Sequence, residues 1–308
     1  MKTKTEIQKE ITDQIIAAIK AGSNGTWKRP WAISTIAGLP TRYNGGRYQG
    51  INLLILAMQG RSNKNWMTFN QAKKIGGSVR KGEKSTTVIF FKPLKVEDKV
   101  SGEEKTIPLL RAYNVFNAEQ IDGLPEKFYE MRKDQSWNGK NTWEGSHQDS
   151  AQYYIECPSV CWNDGGDRAF YSPLTDEITL PHKNQFDSAE DYYCTALHEL
   201  VHWTGHKDRC DRTYGQLKGD DNYAREELVA EIGATFLAGQ LGLEQTVRQD
   251  HIQYLEGWLK ILKADSSAIF EAAAAAQKAV EYLDRCKEVA DDDLDERLED
   301  PFASLGYE

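Results

Sequence analysis

The chain has 308 residues, of which 40% are hydrophobic and 28% charged, and its formal net charge is −9. This composition is typical of a globular protein, and the length allows two domains that each have their own core. There is no apolar run of the roughly 18 residues that span a bilayer and no secretory signal pattern, and the five cysteines lack the regular spacing of a disulfide framework. We therefore predict a cytoplasmic protein that does not bind membranes.

The charge is divided unevenly along the chain. Residues 1–130 contain 21 Lys and Arg against 12 Asp and Glu, a net charge of +9. The remaining residues contain 17 against 35, a net charge of −18. Between Gln14 and Lys92 there are thirteen basic residues and a single acidic one, Glu83. This contrast predicts two domains with different partners, the first of which binds a polyanion.

Residues 1–130 have the pattern of a small domain that mixes helices and strands. The segment 6–21 reads as an amphipathic helix, and a short apolar helix is predicted at 51–59. The β-branched run STTVIFF and the later run LLRAYNVFN predict two strands, which a polar loop at 97–106 connects. The polar, glycine-containing stretch 131–150 is predicted to be a linker.

The second half is predicted to be mainly helical. The segment FYSPLTDEITLP indicates a pair of strands. Helices are expected at about 188–204, 222–241, 247–263 and 266–289, which places the second domain at 151–290. The acidic residues at 291–308 are interpreted as a mobile tail. The predicted fold class is therefore α+β with two domains.

Basic residues of the first domain alternate with aromatic ones. Single-stranded nucleic acid is bound by these two components, because cations contact the phosphates and exposed rings stack on the bases. The alternative is that the rings form the core, which is the better interpretation for Phe90, Phe91 and Phe116. The predicted DNA-binding residues are Trp27, Lys28, Arg29, Trp31, Arg42, Tyr43, Arg47, Tyr48, Trp66, Lys73, Lys74, Arg80, Lys81 and Lys84.

A metal-binding motif lies at residues 198–206, HELVHWTGH. Because positions i and i+4 share one face of a helix, His198 and His202 present two imidazoles to one point, with Glu199 beside them. This is the arrangement of HExxH zinc hydrolases, in which the glutamate is the general base. Two histidines of this spacing on an ordinary helix are the alternative. We predict a Zn2+ site, and Mn2+ or Co2+ would also accept these ligands.

A catalytic zinc ion needs a third protein ligand and an open fourth position. Asp208 completes the H-x-x-G-x-x-D spacing typical of metzincins, but those proteins have a downstream methionine, and all four methionines here precede the motif. His206 is one more turn along, although Gly205 is expected to end the helix first. The segment ELVAE offers the other candidates, Glu227 and Glu231, on one face of the next helix.

The segment ELVAE resembles the E-x-x-A-D/N segment of gluzincin-type peptidases. The resemblance implies that Glu227 is the third ligand and that Glu231, in place of the usual aspartate, supports a ligand histidine. The two roles could be exchanged. Tyr171, Tyr223 and His251 are candidates for stabilising an oxyanion, and the spacing favours none of them.

Several segments together resemble the ArdC-type antirestriction proteins of conjugative plasmids, and the N-terminal part is also similar to the start of TraC-type plasmid primases. The segments are WKRPW, YNGGRYQGIN, WMTFNQAKKIGGSVRKGEKSTTVIFFK, YNVFNAEQIDGLP, HELVHWTGH and EELVAEIGATFLAGQLG. The resemblance implies a domain that binds single-stranded DNA, followed by a zincin-like metallopeptidase domain. It also implies that the protein protects incoming plasmid DNA from host restriction.

Three functional classes stay open at this point. The chain is an antirestriction protein that binds single-stranded DNA, a DNA-associated zinc metalloprotease, or a DNA-binding scaffold with a non-catalytic zinc ion. The protease would act on DNA-bound proteins or on a component of the host restriction system. The intact Glu199 and the set of three ligands argue against the scaffold, because structural zinc sites have four protein ligands.

Overall fold

A computed structural model of the chain describes residues 3–22, 30–33, 38–97, 104–130, 146–212, 220–244 and 252–299. The chain divides into two compact units, Met1–Asp134 and Gln135–Glu308. Each unit contains both helices and strands, which confirms the predicted two-domain α+β fold. Among the helices of the described ranges, none has the length and apolar character needed to cross a bilayer.

The first unit is built around a four-stranded sheet with the strand order β1-β2-β5-β4, and β3 and β6 pair separately. Its helices are α1 (Lys4–Gly22), α2 (Gly50–Ala57) and α3 (Phe69–Lys74), and its strands are β1 (Thr41–Arg42), β2 (Asn65–Thr68), β3 (Ser78–Val79), β4 (Thr86–Glu97), β5 (Glu104–Asn117) and β6 (Ile121–Asp122). The turn from β2 into α3 is fixed by a capping box, in which Thr68 and Gln71 satisfy each other's backbone N–H groups.

Adjacent residues of β2 point to opposite faces of the sheet, and each face has its own core. Trp66 is buried together with Tyr48, with Leu56 of α2, and with Val88 and Val115 of β4 and β5. On the opposite face, Met67 belongs to a second buried cluster, whose other members are Ala72, Ala118, Ile121, Leu124 and Phe128. Trp66 and Met67 are thereby both used for packing, one in each core.

The edge strand β4 is tied to α2 by one side chain. Asn52 donates to the backbone carbonyl of Ile89 at 2.6 Å and accepts from its N–H at 2.8 Å. These are backbone groups that a sheet edge would otherwise leave without a strand partner. The amide therefore holds α2 over the sheet and closes part of its open edge.

Strands β4 and β5 continue beyond the sheet as a two-stranded ribbon. β2 pairs with β5 only from Val115 to Asn117, whereas β4 pairs with β5 along twelve rungs that end at Glu97 and Glu104. The strands are therefore longer than predicted, and the connection between them is shorter than 97–106. Pro93 lies opposite Pro108 in this register. Proline has no N–H to donate to the partner strand. Both prolines are therefore accommodated at positions where the backbone nitrogen points away from the partner strand.

The second unit packs helices against a three-stranded sheet with the order β7-β9-β8, in which β7 is parallel and β8 antiparallel to β9. Its elements are α4 (Ser146–Glu156), β7 (Cys161–Asp164), β8 (Phe170–Ser172), β9 (Glu177–Leu180), α5 (Ala189–Trp203), α6 (Asp221–Leu241), α7 (Ile252–Ala264) and α8 (Ala268–Glu299). The helix α5 begins as predicted, because Ser188 Oγ accepts from the N–H of Asp191 at 3.1 Å.

Two predicted boundaries of this unit are wrong. The linker was expected to reach residue 150, but α4 already begins at Ser146, because Tyr154 and Ile155 bury its second half in the core. The acidic tail was expected from 291, but α8 continues to Glu299. Asp291 accepts from Tyr153 of α4 at 2.6 Å and pairs with Lys287, so the first part of the acidic run is held in the helix. Residues 131–145 and 300–308 lie outside the described residues.

Candidate metal centre

His198 and His202 lie on successive turns of α5, and both rings are buried. Their Nε2 atoms are 3.2 Å apart. Glu227 of α6 completes the group, with carboxylate oxygens 3.5 Å from Nε2 of His198 and 3.7 Å from Nε2 of His202. Among the described residues, these three side chains form the group of His, Cys, Asp or Glu whose donor atoms lie within 4.8 Å of one another.

The dimensions of this triad fit a divalent metal ion. Zinc binds imidazole nitrogen and carboxylate oxygen at about 2.0–2.2 Å, so two ligands at a tetrahedral angle are about 3.3–3.6 Å apart. The two Nε2 atoms are 3.2 Å apart, Oε2 of Glu227 lies 3.5 Å from Nε2 of His198, and Oε1 lies 3.7 Å from Nε2 of His202. Two nitrogens and one oxygen also suit zinc, manganese or cobalt. Three protein donors leave one tetrahedral position for water or substrate.

The two helices that carry the triad approach each other closely at Gly233. A Cβ atom at this position of α6 would lie 2.9 Å from both methyl carbons of Val201 on α5. Real Cβ atoms do not come so close to a branched side chain, so the contact requires glycine here. The absence of a side chain at Gly233 therefore sets the distance at which Glu227 meets the two histidines.

A buried network that the sequence did not reveal holds the second histidine. Nδ1 of His202 donates to Oε1 of Glu226 at 3.2 Å. Arg212 donates to both oxygens of Glu226, at 2.8 and 3.0 Å, and also to Oγ1 of Thr204 at 2.9 Å and the carbonyl of Val201 at 2.6 Å. An outer carboxylate of this type fixes the tautomer and the orientation of a ligand imidazole. The sequence signal that could have indicated this network is Glu226, a second glutamate directly before Glu227.

The acidic residues proposed beside Glu227 have different surroundings. Glu231 lies one turn further along α6 and is buried, and its backbone carbonyl accepts from Thr235. Its support of a ligand histidine stays a prediction. The side chain of Asp208 is 73% exposed and lies 3.5 Å from Nδ1 of His206. Asp208 is not part of the described triad.

Burial and the clustered charges shift the pKa values of the triad when no metal ion is bound. Burial lowers the pKa of His198. Burial also opposes protonation of His202, but the hydrogen bond with Glu226 and the charge of Glu227 raise its pKa to about 9. Burial opposes ionisation of Glu227, yet the contacts with both histidines lower its pKa to about 2. The metal-free site therefore holds a proton on His202, which a metal ion has to displace.

Two further groups lie at the triad. Glu199 is buried beside His198 on α5, and its charge acts on both imidazoles. The hydroxyl of Tyr223 is 3.3 Å from the hydroxyl of Tyr254 and lies close enough to Glu227 for the carboxylate to act on it. Burial, reinforced by the charge of Glu227, raises the pKa of Tyr223 above its usual range, so this hydroxyl stays neutral and can donate.

Of the two other candidates for stabilising an oxyanion, Tyr171 is the one that lies among the described residues. Tyr171 donates to Asp176 at 2.8 Å and accepts from Arg209 at 3.3 Å. Neither Asp176 nor Arg209 belongs to the triad. His251 lies outside the described residues.

Several of the predicted DNA-binding rings belong to the core of the first unit. Trp31 is 0% exposed and Trp66 1% exposed, and Tyr48 is buried beside Trp66. The prediction that these three rings stack on bases is wrong, because a small unit has to bury its largest apolar side chains to be stable. Trp27, Lys28 and Arg29 lie outside the described residues.

The predicted basic residues are mostly at the surface. The exposed ones are Arg47, Lys73, Lys74, Arg80, Lys81 and Lys84. Arg80 is engaged with Glu83 and Asp122, so its charge is partly compensated. Arg42 is half-buried and lies over the rings of Tyr48 and Phe90, and Tyr43 is half-buried against the Met67 cluster.

Comparison with known proteins decides the family. Residues 5–116 match the N-terminal domain of anti-restriction factor ArdC, and residues 149–275 match a zincin-like metallopeptidase family. A metal-free crystal structure of antirestriction protein ArdC from plasmid R388 aligns with a TM-score of 0.77 and 39% sequence identity, over 92% of this chain and 98% of that chain. The chain belongs to the ArdC family of antirestriction proteins. The zincin-like match implies a divalent metal ion in this family.

Other similar proteins extend this comparison. A Mn(II)-bound structure of the R388 ArdC protein aligns with a TM-score of 0.73 and 38% identity, over 91% of this chain and 98% of that chain. The uncharacterized protein y4eC of Sinorhizobium fredii is 30% identical over 91% of this chain and 92% of its own length. Two DNA primases named TraC from Escherichia coli are both 37% identical. The chain spans only 20% and 27% of the length of these primases.

Proposed function

We propose that this ArdC-family chain protects incoming plasmid DNA from host restriction, binds single-stranded DNA through its first unit and carries a divalent-metal centre of metallopeptidase type in its second. The observation that carries the proposal is the convergence of His198, His202 and Glu227 on one point. The family match supports the antirestriction role, and the Mn(II) in an ArdC structure supports a bound metal. The protein would act in the cytoplasm, on DNA that enters by conjugation.

The triad would hold Zn2+, or Mn2+ or Co2+, through the two Nε2 atoms and the carboxylate of Glu227. When bound, such an ion supplies a Lewis acid that polarises a peptide carbonyl and acidifies a water molecule. In this proposal Glu199 would accept a proton from an attacking water and return it to the leaving amine. Glu226 holds the N–H of His202, and Tyr223 offers a neutral donor beside Glu227.

The proposed DNA binding of the first unit rests on its cations. The net charge of +9 in residues 1–130 attracts the phosphate backbone, and Arg47, Lys73, Lys74, Lys81 and Lys84 are exposed. The rings of Trp31, Tyr48 and Trp66 take no part in this proposal, because they are buried. Affinity should fall with added salt, by a slope of about −0.7 for each phosphate contacted on a single strand.

A second candidate function is proteolysis of proteins bound to DNA. It is favoured by the buried Glu199 next to an incomplete set of three protein ligands, because a purely structural zinc site has four protein ligands and needs no base. The target would be a DNA-bound protein or a component of the host restriction system. If the chain is instead a DNA-binding scaffold with a non-catalytic metal ion, the metal site would only stabilise the fold.

The test compares the wild type with Glu199→Ala in metal content, affinity for single-stranded DNA, protection of conjugated DNA from restriction and proteolysis of restriction subunits. Both proteins should hold about one divalent ion per chain, and Glu199→Ala should bind DNA normally. Loss of protection in Glu199→Ala would favour the protease, and retained protection would favour the binding protein. Stoichiometric metal in a His198→Ala/His202→Ala double variant would exclude the triad as the metal site.

A further inference from the structure

Tyr113 of β5 is an aromatic side chain that the sheet leaves exposed, at 41%. Val88, the residue paired with it on β4, is fully buried in the core cluster that contains Leu56 of α2, whereas Tyr113 is the exposed member of this rung. The ring of Tyr113 meets Phe90 edge to face, with 5.4 Å between the ring centroids and 82° between the planes. The neighbouring ring therefore holds Tyr113 in place while part of its surface faces solvent.

Two arginines flank this pair of rings. Arg111 is paired with Phe90 and lies two residues before Tyr113, so it projects from the same face of the sheet, and it is exposed. The guanidinium of Arg42 lies 5.3 Å from the centroid of Phe90. The sequence has no acidic residue from Lys84 to Val96 or from Lys105 to Ala118. Positive charge around these rings is therefore not balanced by the strands that carry them.

We propose that Tyr113, supported by Phe90, is the stacking platform for an unpaired base, and that Arg111 and Arg42 attract the adjoining phosphates. The proposal rests on the proposed binding of single-stranded DNA by the first unit. A ring on the sheet surface with cations beside it is the combination that single strands require, because the bases offer their faces and the phosphates their charge. In a duplex the base faces are covered, so the platform selects unpaired strands.

The experiment measures binding of a labelled oligothymidylate to the full-length protein by fluorescence anisotropy over a range of salt concentrations. Tyr113→Ala should weaken binding about 5- to 150-fold with an unchanged salt slope, and Tyr113→Phe should keep wild-type affinity because it keeps the ring. Arg111→Ala should instead reduce the magnitude of the salt slope by about 0.7. Phe69→Ala is the comparison variant, since Phe69 is another exposed ring of the first unit, 54% exposed at the start of α3, that is not part of the Tyr113–Phe90 pair and should leave affinity unchanged.

A second measurement does not depend on the folding of any variant. An oligonucleotide that contains 5-iodouracil should crosslink to Tyr113 of the wild-type protein under light, and peptide mass spectrometry identifies the attached residue. Wild-type affinity in Tyr113→Ala, an equal loss in Phe69→Ala, or crosslinks only elsewhere would overturn the platform while leaving DNA binding intact. If the wild type binds no single-stranded DNA, the proposed function fails as well.

Discussion

Arg212 offers the sharpest test of how the metal centre is held together. Its side chain is 10% exposed, and that of Glu226, to whose two carboxylate oxygens it donates hydrogen bonds, is 6% exposed. Removing one partner of a buried ion pair costs about 3–5 kcal/mol, because the other charge stays buried without compensation. The variant Arg212→Met should therefore lose that much stability. Glu226 should then take up a proton and hold His202 less firmly, which should weaken metal binding about 10- to 100-fold.

The matched control is Arg209→Met. Arg209 lies in the same segment after α5, its side chain is 8% exposed, and it pairs with Asp176 instead of a residue that contacts an imidazole. This variant should be destabilised without a change in metal affinity. Stability is measured by urea unfolding, and metal affinity by competition with a chromophoric chelator at fixed pH.

A double variant separates stability from metal binding. Apolar replacement of both partners of a buried ion pair is often neutral or stabilising, so Arg212→Met/Glu226→Leu should regain much of the lost stability. Its metal affinity should stay low, because Nδ1 of His202 has lost its acceptor. The reasoning is refuted if Arg212→Met binds metal as tightly as the wild type, or if the double variant recovers metal affinity together with stability.

Three further predictions concern other parts of the chain. In the metal-free protein, the pKa of His202 rises from 6.5 to about 9, so its stabilising contribution is complete below pH 6.5 and is lost as the pH rises through 9. The pKa of Glu227 falls from 4.5 to about 2, so its stabilising contribution is complete above pH 4.5 and is lost as the pH falls towards 2. The unfolding temperature of chelator-treated protein should therefore be highest between pH 4.5 and pH 6.5. A rise in stability from pH 6.5 to 9 would contradict this prediction. Gly233→Ala should destabilise the second unit by about 1–3 kcal/mol in urea unfolding and weaken metal binding, because the added methyl group meets Val201. Adding Val201→Ala should reverse part of both effects. Wild-type stability and metal affinity in Gly233→Ala would exclude the close contact between the two helices. Trp31→Ala should cost about 3–5 kcal/mol of stability and leave the DNA affinity of the folded protein unchanged, whereas normal stability with weakened binding would show that this ring is not core.

The triad was predictable because its geometry follows from periodicity within helices. His198 and His202 are one helical turn apart, and Glu227 sits in a second helix whose segment resembles a known ligand pattern. The contact between Arg212 and Glu226 could not be predicted in this way, because Arg212 lies in the irregular segment after α5. Its position depends on how that segment returns over the helix, where it reaches the carbonyl of Val201.

The first unit was less predictable, since its sheet is assembled from short strands. β1 has two residues and β2 has four, which is too few for an alternating pattern to show. The sequence therefore did not reveal that Trp66 of β2 faces a helix and that Tyr113 of β5 faces solvent. Both are aromatic residues among basic ones in the sequence. Which ring is buried and which is exposed depends on how the strands pair, because this pairing places Trp66 in the cluster with Val88 and Val115.

The ribbon formed by β4 and β5 has two open edges where it leaves the sheet, and open edges attract the strands of other molecules. Pro93 removes a hydrogen-bond donor from one edge, and Pro108 removes one from the other edge at the same rung. A strand from another molecule that approached either edge would find no backbone N–H donor at this rung. The ribbon can therefore stay two-stranded where copies of the protein crowd together, and it resists merging into a sheet shared between molecules.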